Sequence, residues 1–323
     1  MTSPWWRVAV FALGVAGCSE RRAPEHPAFR AALITPGSIT DAAWNSGAYA
    51  GVRALHDSLG AQVSNVEART PAEQEDALRT YAAQGYDLIF AHGYEFQDAA
   101  ERVSRQFPGP VIVVTSGERA AGRVVPLVFR LEDASYLAGM VAGGLTRSGK
   151  IGFVGGVELP PVKRAYEGWL NGARAVRPGV DSRVTYLNNW DDPAAGREAA
   201  LALMRVGVDM FHHNADAAAL GIFQAVKENP GTWVFGANAD QSRLAPRQVI
   251  GSAVIDLVHA FLLVGREVKE GRFVSRVESF GLASDVVKYV PNPASAAAVP
   301  PTLAARVAEA ERGIRAGTLQ AVP

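Results

Sequence analysis

The sequence has few cysteines and no net charge, and each shortage excludes a class of protein. Among 323 residues Cys18 is the single cysteine, so no internal disulfide can stabilise the chain. Lysine plus arginine and aspartate plus glutamate both number 32. Without an overall positive charge, the chain has no general attraction for nucleic acid, and we expect no nucleic-acid partner. Its length suits two lobes better than one core.

The apolar run near the N-terminus is too short to span a bilayer. Residues 8–16 (VAVFALGVA) follow Arg7 and are typical of the hydrophobic region of a signal peptide. The run leads into VAGC, which ends at Cys18 and resembles a bacterial lipobox. We therefore expect a lipoprotein signal peptide over 1–17, a lipid anchor on Cys18 and a polar tether over 18–29. The protein would be held on the extracytoplasmic, periplasmic face of the cell membrane. An ordinary signal peptide with a chance cysteine is the alternative.

Short apolar runs then alternate with helical patterns, twice over. Residues 31–35 (AALIT) predict a buried strand, and a second series starts at 151–156 (IGFVGG). The run QVIGSAVIDLVHAFLLVGREVKEG predicts one long helix. The alternation predicts an α/β protein with two doubly wound parallel-sheet lobes. We assign them to 30–129 plus 240–274 and to 130–239 plus 275–323.

Ligands of such sheets bind outside the carboxyl ends of the strands. The residues that follow the predicted strands are therefore candidates for a ligand site, and Tyr94 and Asp216 are among them. The full set of these segments is 38–45, 93–94, 116–117, 155–160, 188–192, 213–216 and 238–240.

The first of these segments is unusually rich in chemistry. GSITDAAWNSGAYAGV (37–52) places an acid, an indole and an amide, Asp41, Trp44 and Asn45, in one strand-to-helix turn. Such a set suits a small polar ligand with a ring. Two simpler interpretations stay open. Trp44 could be the first core residue of the helix, and Asp41 could be a helix N-cap and nothing more.

Several motifs in order resemble the basic membrane protein (BMP) family, the purine-nucleoside-binding lipoproteins of ABC transporters. They are GSITDAAWNSGAYAGV, GYEFQDAAERVSRQFP, FRLEDASYLAGMVAGGLTRSGKIGFVGG, WDDPAAGREAALALMRVGVDMFHHNAD and FGANADQSRLAP. The resemblance covers most of the chain beyond the tether. It implies the type I periplasmic binding-protein fold, with two lobes joined by three crossovers and a ligand closed between them.

The resemblance also implies roles for particular side chains. Trp44 stands where the family has an aromatic that stacks on the base, and Phe211 where it has the opposing one. Asn45 and Asp41 would hydrogen-bond the edges of the base. The residues that would lie near the ribose are Asn238 and Asp240. The simpler interpretation makes Phe211 a core aromatic and the last two ordinary turn residues.

The sequence departs from the family at ligand-facing positions. The turn 214–217 reads NADA where the family usually has a glycine-rich turn, and it adds Asp216 to the cleft. Ile255 stands where the family tends to carry lysine. Asn238 replaces an acid, and Gly251 precedes Ser252 where the family has threonine. These departures bear on which ligand is bound.

We find no catalytic constellation in the sequence. GLTRSGK (144–150) has the spacing of a phosphate loop but precedes a strand and lacks the hydroxyl residue after its lysine. His212 and His213 are adjacent in a predicted strand, so they face opposite sides and do not form a metal site. We therefore expect no cofactor, no metal and no enzymatic activity.

The prediction is a monomeric substrate-binding lipoprotein that passes a small ringed solute, a purine nucleoside, to ABC permease subunits. Two alternatives keep the fold: a surface sensor or adhesive lipoprotein, and a binding protein for another ringed metabolite. An enzyme acting on nucleosides would be revived by turnover of inosine or adenosine.

Overall fold

The computed structural model describes Met1, residues 28–41 and residues 43–323. The predicted signal peptide, Cys18 and most of the tether lie outside the described residues. Within them, no helix combines the length and the apolar character needed to cross a bilayer.

The first half of the chain builds one parallel sheet with helices on both faces. Its strands and helices alternate in the predicted order: β1 (Arg30–Thr35), α1 (Trp44–Leu59), β2 (Gln62–Glu67), α2 (Pro71–Ala83), β3 (Leu88–His92), α3 (Gln97–Gln106), β4 (Val111–Thr115) and β5 (Val124–Phe129).

The second half repeats the plan. Its elements are α4 (Leu131–Leu145), β6 (Lys150–Gly155), α5 (Pro160–Val176), β7 (Asp181–Tyr186), α6 (Pro193–Arg205), β8 (Met210–Asn214), α7 (Ala219–Glu228), β9 (Trp233–Asn238), β10 (Val249–Ile255), α8 (Leu257–Lys269), β11 (Glu278–Phe280), β12 (Val287–Pro291) and α9 (Pro301–Arg315).

The strands form two six-stranded sheets. The first has the order β11-β5-β4-β3-β1-β2 and is parallel throughout. The second has the order β12-β10-β9-β8-β6-β7, and its β12 edge strand alone runs antiparallel. In each sheet the first strand in the chain lies between the second and the third. Such a switch point is where a doubly wound sheet opens a crevice for a ligand. The predicted two-lobe α/β fold is confirmed.

The predicted lobe boundaries need correction near 240 and 275. The run expected to be one long helix is a strand followed by a helix: β10 pairs with β9 in the second sheet, and α8 packs against α1 in the first lobe. β-Branched residues favour a strand for β10, and Asp256 then starts the helix, its Oδ1 accepting from the His259 N–H at 3.0 Å. The later strand β11 joins the first sheet, so that lobe extends to Phe280.

The chain therefore crosses between lobes three times, near 130, near 256 and over 281–286. One hydrophobic core contains residues of both lobes, and two smaller cores lie on single faces of the first and second sheets.

Helices α4 and α5 pack with their backbones almost in contact. A Cβ at Gly172 would lie 1.9 Å from the backbone oxygen of Tyr136, and one at Gly139 would lie 2.1 Å from that of Trp169. Only glycine permits this approach, because any side chain would overlap backbone atoms that cannot move alone. The close pairing places the start of α4, at the first crossover, beside the first turns of α5. Both helix starts contribute to the cleft between the lobes.

Candidate functional site

A cleft of about 590 Å³, counting its open mouth, lies between the carboxyl ends of the two sheets. Loops after β1, β3, β4, β6, β7, β8 and β9 contribute to it, as expected for this fold. The first lobe supplies Pro36, Trp44, Gly93, Tyr94, Glu95, Ser116 and Phe129. The second supplies Leu131, Leu159, Pro161, Val162, Trp190, Asn214, Asp216, Asn238 and Ile255.

Trp44 forms the aromatic wall of the first lobe. It is half-buried at the start of α1 and lines the cleft. Its ring stacks on His92 with the centroids 4.0 Å apart, and Phe129 meets it edge-on at 6.1 Å. One face of the indole is thus held by protein, which fixes the ring without covering the whole of it. Its predicted placement at the cleft agrees with the structure.

His92 packs against the indole of Trp44, and the sequence analysis did not identify it as part of the site. It is fully buried, and its Nε2 donates to the Trp44 carbonyl oxygen at 3.1 Å. Its Nδ1 then accepts from the Thr115 hydroxyl at 3.0 Å, because a carbonyl can only accept. Burial lowers the pKa of His92 to about 3, so the imidazole is neutral near pH 7. This neutral ring holds both the backbone and the indole of Trp44.

Trp190 forms the aromatic wall of the second lobe. Its half-buried indole lines the cleft and lies directly on Gly156, where an added Cβ would be 2.1 Å from the ring. The Trp190 carbonyl accepts from the Ala218 N–H at 2.8 Å, which ties this loop to the turn after β8. Trp190 lies within the predicted segment 188–192, but it was not singled out among the site residues.

Phe211 does not lie in the cleft, and its expected role as the opposing ring is therefore not supported by its position. It is 0% exposed and belongs to the core between the second sheet and the helices α6 and α7. Successive side chains of a strand face opposite sides, so the neighbouring His212 lies on the other face of β8, where it packs on Trp169. The simpler interpretation of Phe211, a core aromatic, fits the structure.

Asp41 caps helix α1 instead of lining the cleft. Its Oδ1 accepts from the backbone N–H groups of Ala43 and Ser46, both at 3.0 Å, and its Oδ2 from that of Asn45 at 2.7 Å. Both oxygens are engaged with the open end of the helix, which a carboxylate stabilises. Asn45 is also buried beside this turn, and its Oδ1 has no partner among the described residues.

Three polar side chains meet at the back of the cleft. The Nδ2 of Asn238 donates to the Oδ1 of Asn214 at 3.3 Å and to the Oδ1 of Asp216 at 3.4 Å. Asn238 and Asp216 have positive φ angles of 65° and 44°, a conformation that asparagine and aspartate adopt more readily than most residues. Their predicted placement in the cleft agrees with the structure.

Tyr94 and Glu95 bring polar groups from the other lobe. The Tyr94 hydroxyl donates to Glu118 at 3.4 Å, and desolvation raises its pKa. The Glu95 carboxylate lies over Gly93, where an added Cβ would be 2.5 Å from an oxygen. Glu95 is exposed and lines the cleft, and partial desolvation of its carboxyl by the surrounding protein raises its pKa.

Asp240 lies outside the cleft. It is exposed, and its Oδ1 accepts from the backbone N–H of Ser242 at 3.0 Å and from the Ser242 hydroxyl at 2.5 Å. This local bonding is typical of an aspartate that stabilises a turn. The expected contact with a ribose is not supported by this position.

One ion pair joins the lobes at the rim of the cleft. Arg69, after β2, contacts Asp191, after β7, at 3.0 Å. Both side chains are about half exposed, 55% and 49%, so the pair contributes little stability by itself.

A family model for PnrA-like ABC transporter substrate-binding proteins matches residues 28–314. The chain belongs to this family. It is 30% identical over 283 residues to basic membrane protein A of Borreliella afzelii, a match that covers 85% of this chain and 87% of that protein. The predicted family is confirmed.

Solved structures of solute-binding proteins have the same fold. An ABC transporter solute-binding protein from Aeropyrum pernix K1 superposes with a TM-score of 0.83 at 23% identity, covering 91% of this chain and 93% of that one. A solute-binding protein from Conexibacter woesei gives a TM-score of 0.74 at 27% identity, with coverage of 92% and 99%.

Proposed function

We propose that this substrate-binding protein captures a purine nucleoside, or a closely similar ringed solute, between Trp44 and Trp190. The observation that carries the proposal is an indole on each wall of one interlobe cleft. A flat ring between two aromatic faces gains both apolar burial and stacking energy. A cleft lined by an indole from each lobe favours a bound solute over the sensor or adhesive alternative.

Polar groups at the back of the cleft would identify the ring. Asn214 and Asn238 offer amide donors and acceptors, and Ser116 and Tyr94 add hydroxyls from the other lobe. A buried polar group left unpaired costs roughly 1–3 kcal/mol, so a ligand that satisfies these groups is preferred over one that does not. This chemistry suits the heteroatoms of a base and the hydroxyls of a sugar.

Delivery to an ABC permease requires a closed form that differs from the open one. The three crossovers are the points about which the lobes would rotate, and the pair Arg69–Asp191, which joins the lobes in this structure, would break on opening. The protein would act as a monomer, held on the extracytoplasmic side of the membrane by lipid on Cys18. Cys18→Ala should move it from the membrane fraction to the soluble fraction, and unchanged membrane retention would contradict the anchor.

Calorimetric titration tests the ligand. The full chain, purified in detergent and freed of bound ligand by unfolding and refolding, is titrated with adenosine, inosine, guanosine, cytidine and uridine. We expect micromolar or tighter binding of at least one purine nucleoside. Trp44→Ala and Trp190→Ala should each weaken it at least about tenfold.

Trp233→Ala is the matched control. Trp233 is also half-buried, but it begins β9 and therefore lies at the amino ends of the strands, away from the cleft at their carboxyl ends. Its removal should leave the affinity unchanged. Binding that is insensitive to both cleft indoles, or no binding of any nucleoside, would contradict the proposal.

A further inference from the structure

The charged side chains that line the cleft are all of one sign. Among the described lining residues, Asp216 and Glu95 are carboxylates, and there is no lysine, arginine or histidine. Ile255 adds an apolar surface to the same wall. An anionic ligand would therefore meet two acids without a cation to receive it.

Asp216 is the more constrained of the two acids. It is 9% exposed, and among the described residues its side chain receives one long hydrogen bond, from Asn238 at 3.4 Å. Burial, with the negative charges of Asp41, Glu95 and Asp191, holds the pKa of Asp216 well above its usual range. The protonated form of Asp216 is therefore favoured while no counter-charge is present, and a cation bound beside it would favour the carboxylate.

The arginines near the cleft are already paired. Arg164 binds Glu132 through Nη2 at 2.7 Å and Nε at 3.0 Å, and Arg130 contacts Asp133 at 3.0 Å. Arg69 is engaged with Asp191 at the rim. Within the described residues no salt bridge reaches Asp216 or Glu95.

We propose that the cleft selects a ring that carries a positive charge, and that this charge pairs with the carboxylate of Asp216. The inference rests on the proposed function, because it places the charged ring between the same two indoles. Aromatic faces also attract cations, so Trp44 and Trp190 favour the same ligand. The described lining offers no cationic side chain to pair with a nucleotide or another anion.

The test compares ligands that differ in charge but not in size. Adenosine and N6-methyladenosine are neutral, whereas 1-methyladenosine carries a positive charge on its ring at neutral pH, and both methyl groups lie on the same edge of the base. Calorimetry on the full chain should give at least about tenfold tighter binding of 1-methyladenosine than of N6-methyladenosine. Asp216→Asn should remove that preference.

Asp240→Asn is the control for loss of a negative charge, since Asp240 is exposed and outside the cleft. It should keep the preference of the wild type. If the neutral nucleosides bind as tightly as the charged one, or if Asp216→Asn keeps the preference, the charge inference is overturned while nucleoside binding stands.

A second pair of probes separates the charge from the nucleoside. 1-Methylnicotinamide is a cationic ring without a sugar, and nicotinamide is its neutral counterpart. If no nucleoside binds but 1-methylnicotinamide does, in an Asp216-dependent way, the nucleoside proposal fails and the charge inference holds. If neither series binds, both are overturned.

Discussion

Replacing Phe211 should damage the fold, and replacing Trp190 should damage ligand binding. Phe211 is 0% exposed between the second sheet and its outer helices. Removal of the ring in Phe211→Ala leaves a cavity in that core, with an expected loss of about 3–5 kcal/mol in the free energy of unfolding. The milder Phe211→Leu should lose about 1 kcal/mol and stay folded. Neither change alters a surface of the cleft.

Trp190 should show the opposite pattern because one side of its indole faces the ligand. Covering about 70 Å² of that face at roughly 25 cal/mol/Å² contributes about 2 kcal/mol. Stacking adds about 0.5–1.5 kcal/mol. Trp190→Ala should therefore weaken ligand affinity by about 60- to 300-fold. Because the side chain is half-buried, the loss of stability should be smaller than that of Phe211→Ala.

Urea unfolding and calorimetric titration of the variants decide between the two roles. We expect Phe211→Leu to bind the wild-type ligand normally and to unfold at lower urea. If Phe211→Leu instead loses binding at unchanged stability, while Trp190→Ala binds normally, the assignment of the two aromatics is wrong.

Three further changes test the supports of the site. Gly156→Ala should push the Trp190 indole by about 1 Å and weaken ligand binding in titration, because the new Cβ would be 2.1 Å from the ring; unchanged affinity would contradict this support. Gly172→Ala should cost about 3 kcal/mol or more in urea unfolding, whereas Gly313→Ala, which meets only a side chain at 3.2 Å, should cost little; equal effects would refute the close packing. His212 is buried with its pKa lowered to about 3 from 6.5, so the unfolded chain binds its proton first and stability falls with pH below about 6.5. Urea unfolding of the wild type and of His212→Asn at several pH values measures this. Between pH 6.5 and about 3, the free energy of unfolding of the wild type should fall by up to about 1.4 kcal/mol per pH unit more than that of the variant. The same pH dependence in both proteins would refute the role of His212.

Helix starts could be predicted from the sequence where the capping residues are neighbours in the chain. Thr70 followed by Pro71 is a sequence signal for a helix start, and the structure has the full capping box there, in which the side chains of Thr70 and Glu73 each bond the other's backbone N–H. The run from β10 to α8 was misinterpreted because it is apolar throughout. Periodicity cannot separate a buried strand from a buried helix within such a run, and only the pairing of β10 with β9 decides it.

The strand-end rule predicted where the site lies but not which side chains face it. Trp44, Tyr94, Asp216 and Asn238 line the cleft as expected. Whether a residue points into a cleft depends on the register of a strand or the path of a loop, which a single sequence does not show. Phe211, which was taken from the family resemblance, lies within β8 and is enclosed by core residues.

Two supports of the site had only indirect signals. Trp190 falls in a predicted segment, and Gly156 precedes it in another, but their contact joins loops that are distant in the chain. His92 ends β3 and acts through Trp44, so it resembles an ordinary core residue in the sequence.

A crystal structure of the full chain grown with adenosine tests the central claim most directly. The account predicts that the base lies in the interlobe cleft with Trp44 on one face and Trp190 on the other. A base bound elsewhere, or density in the cleft that touches neither indole, would contradict it.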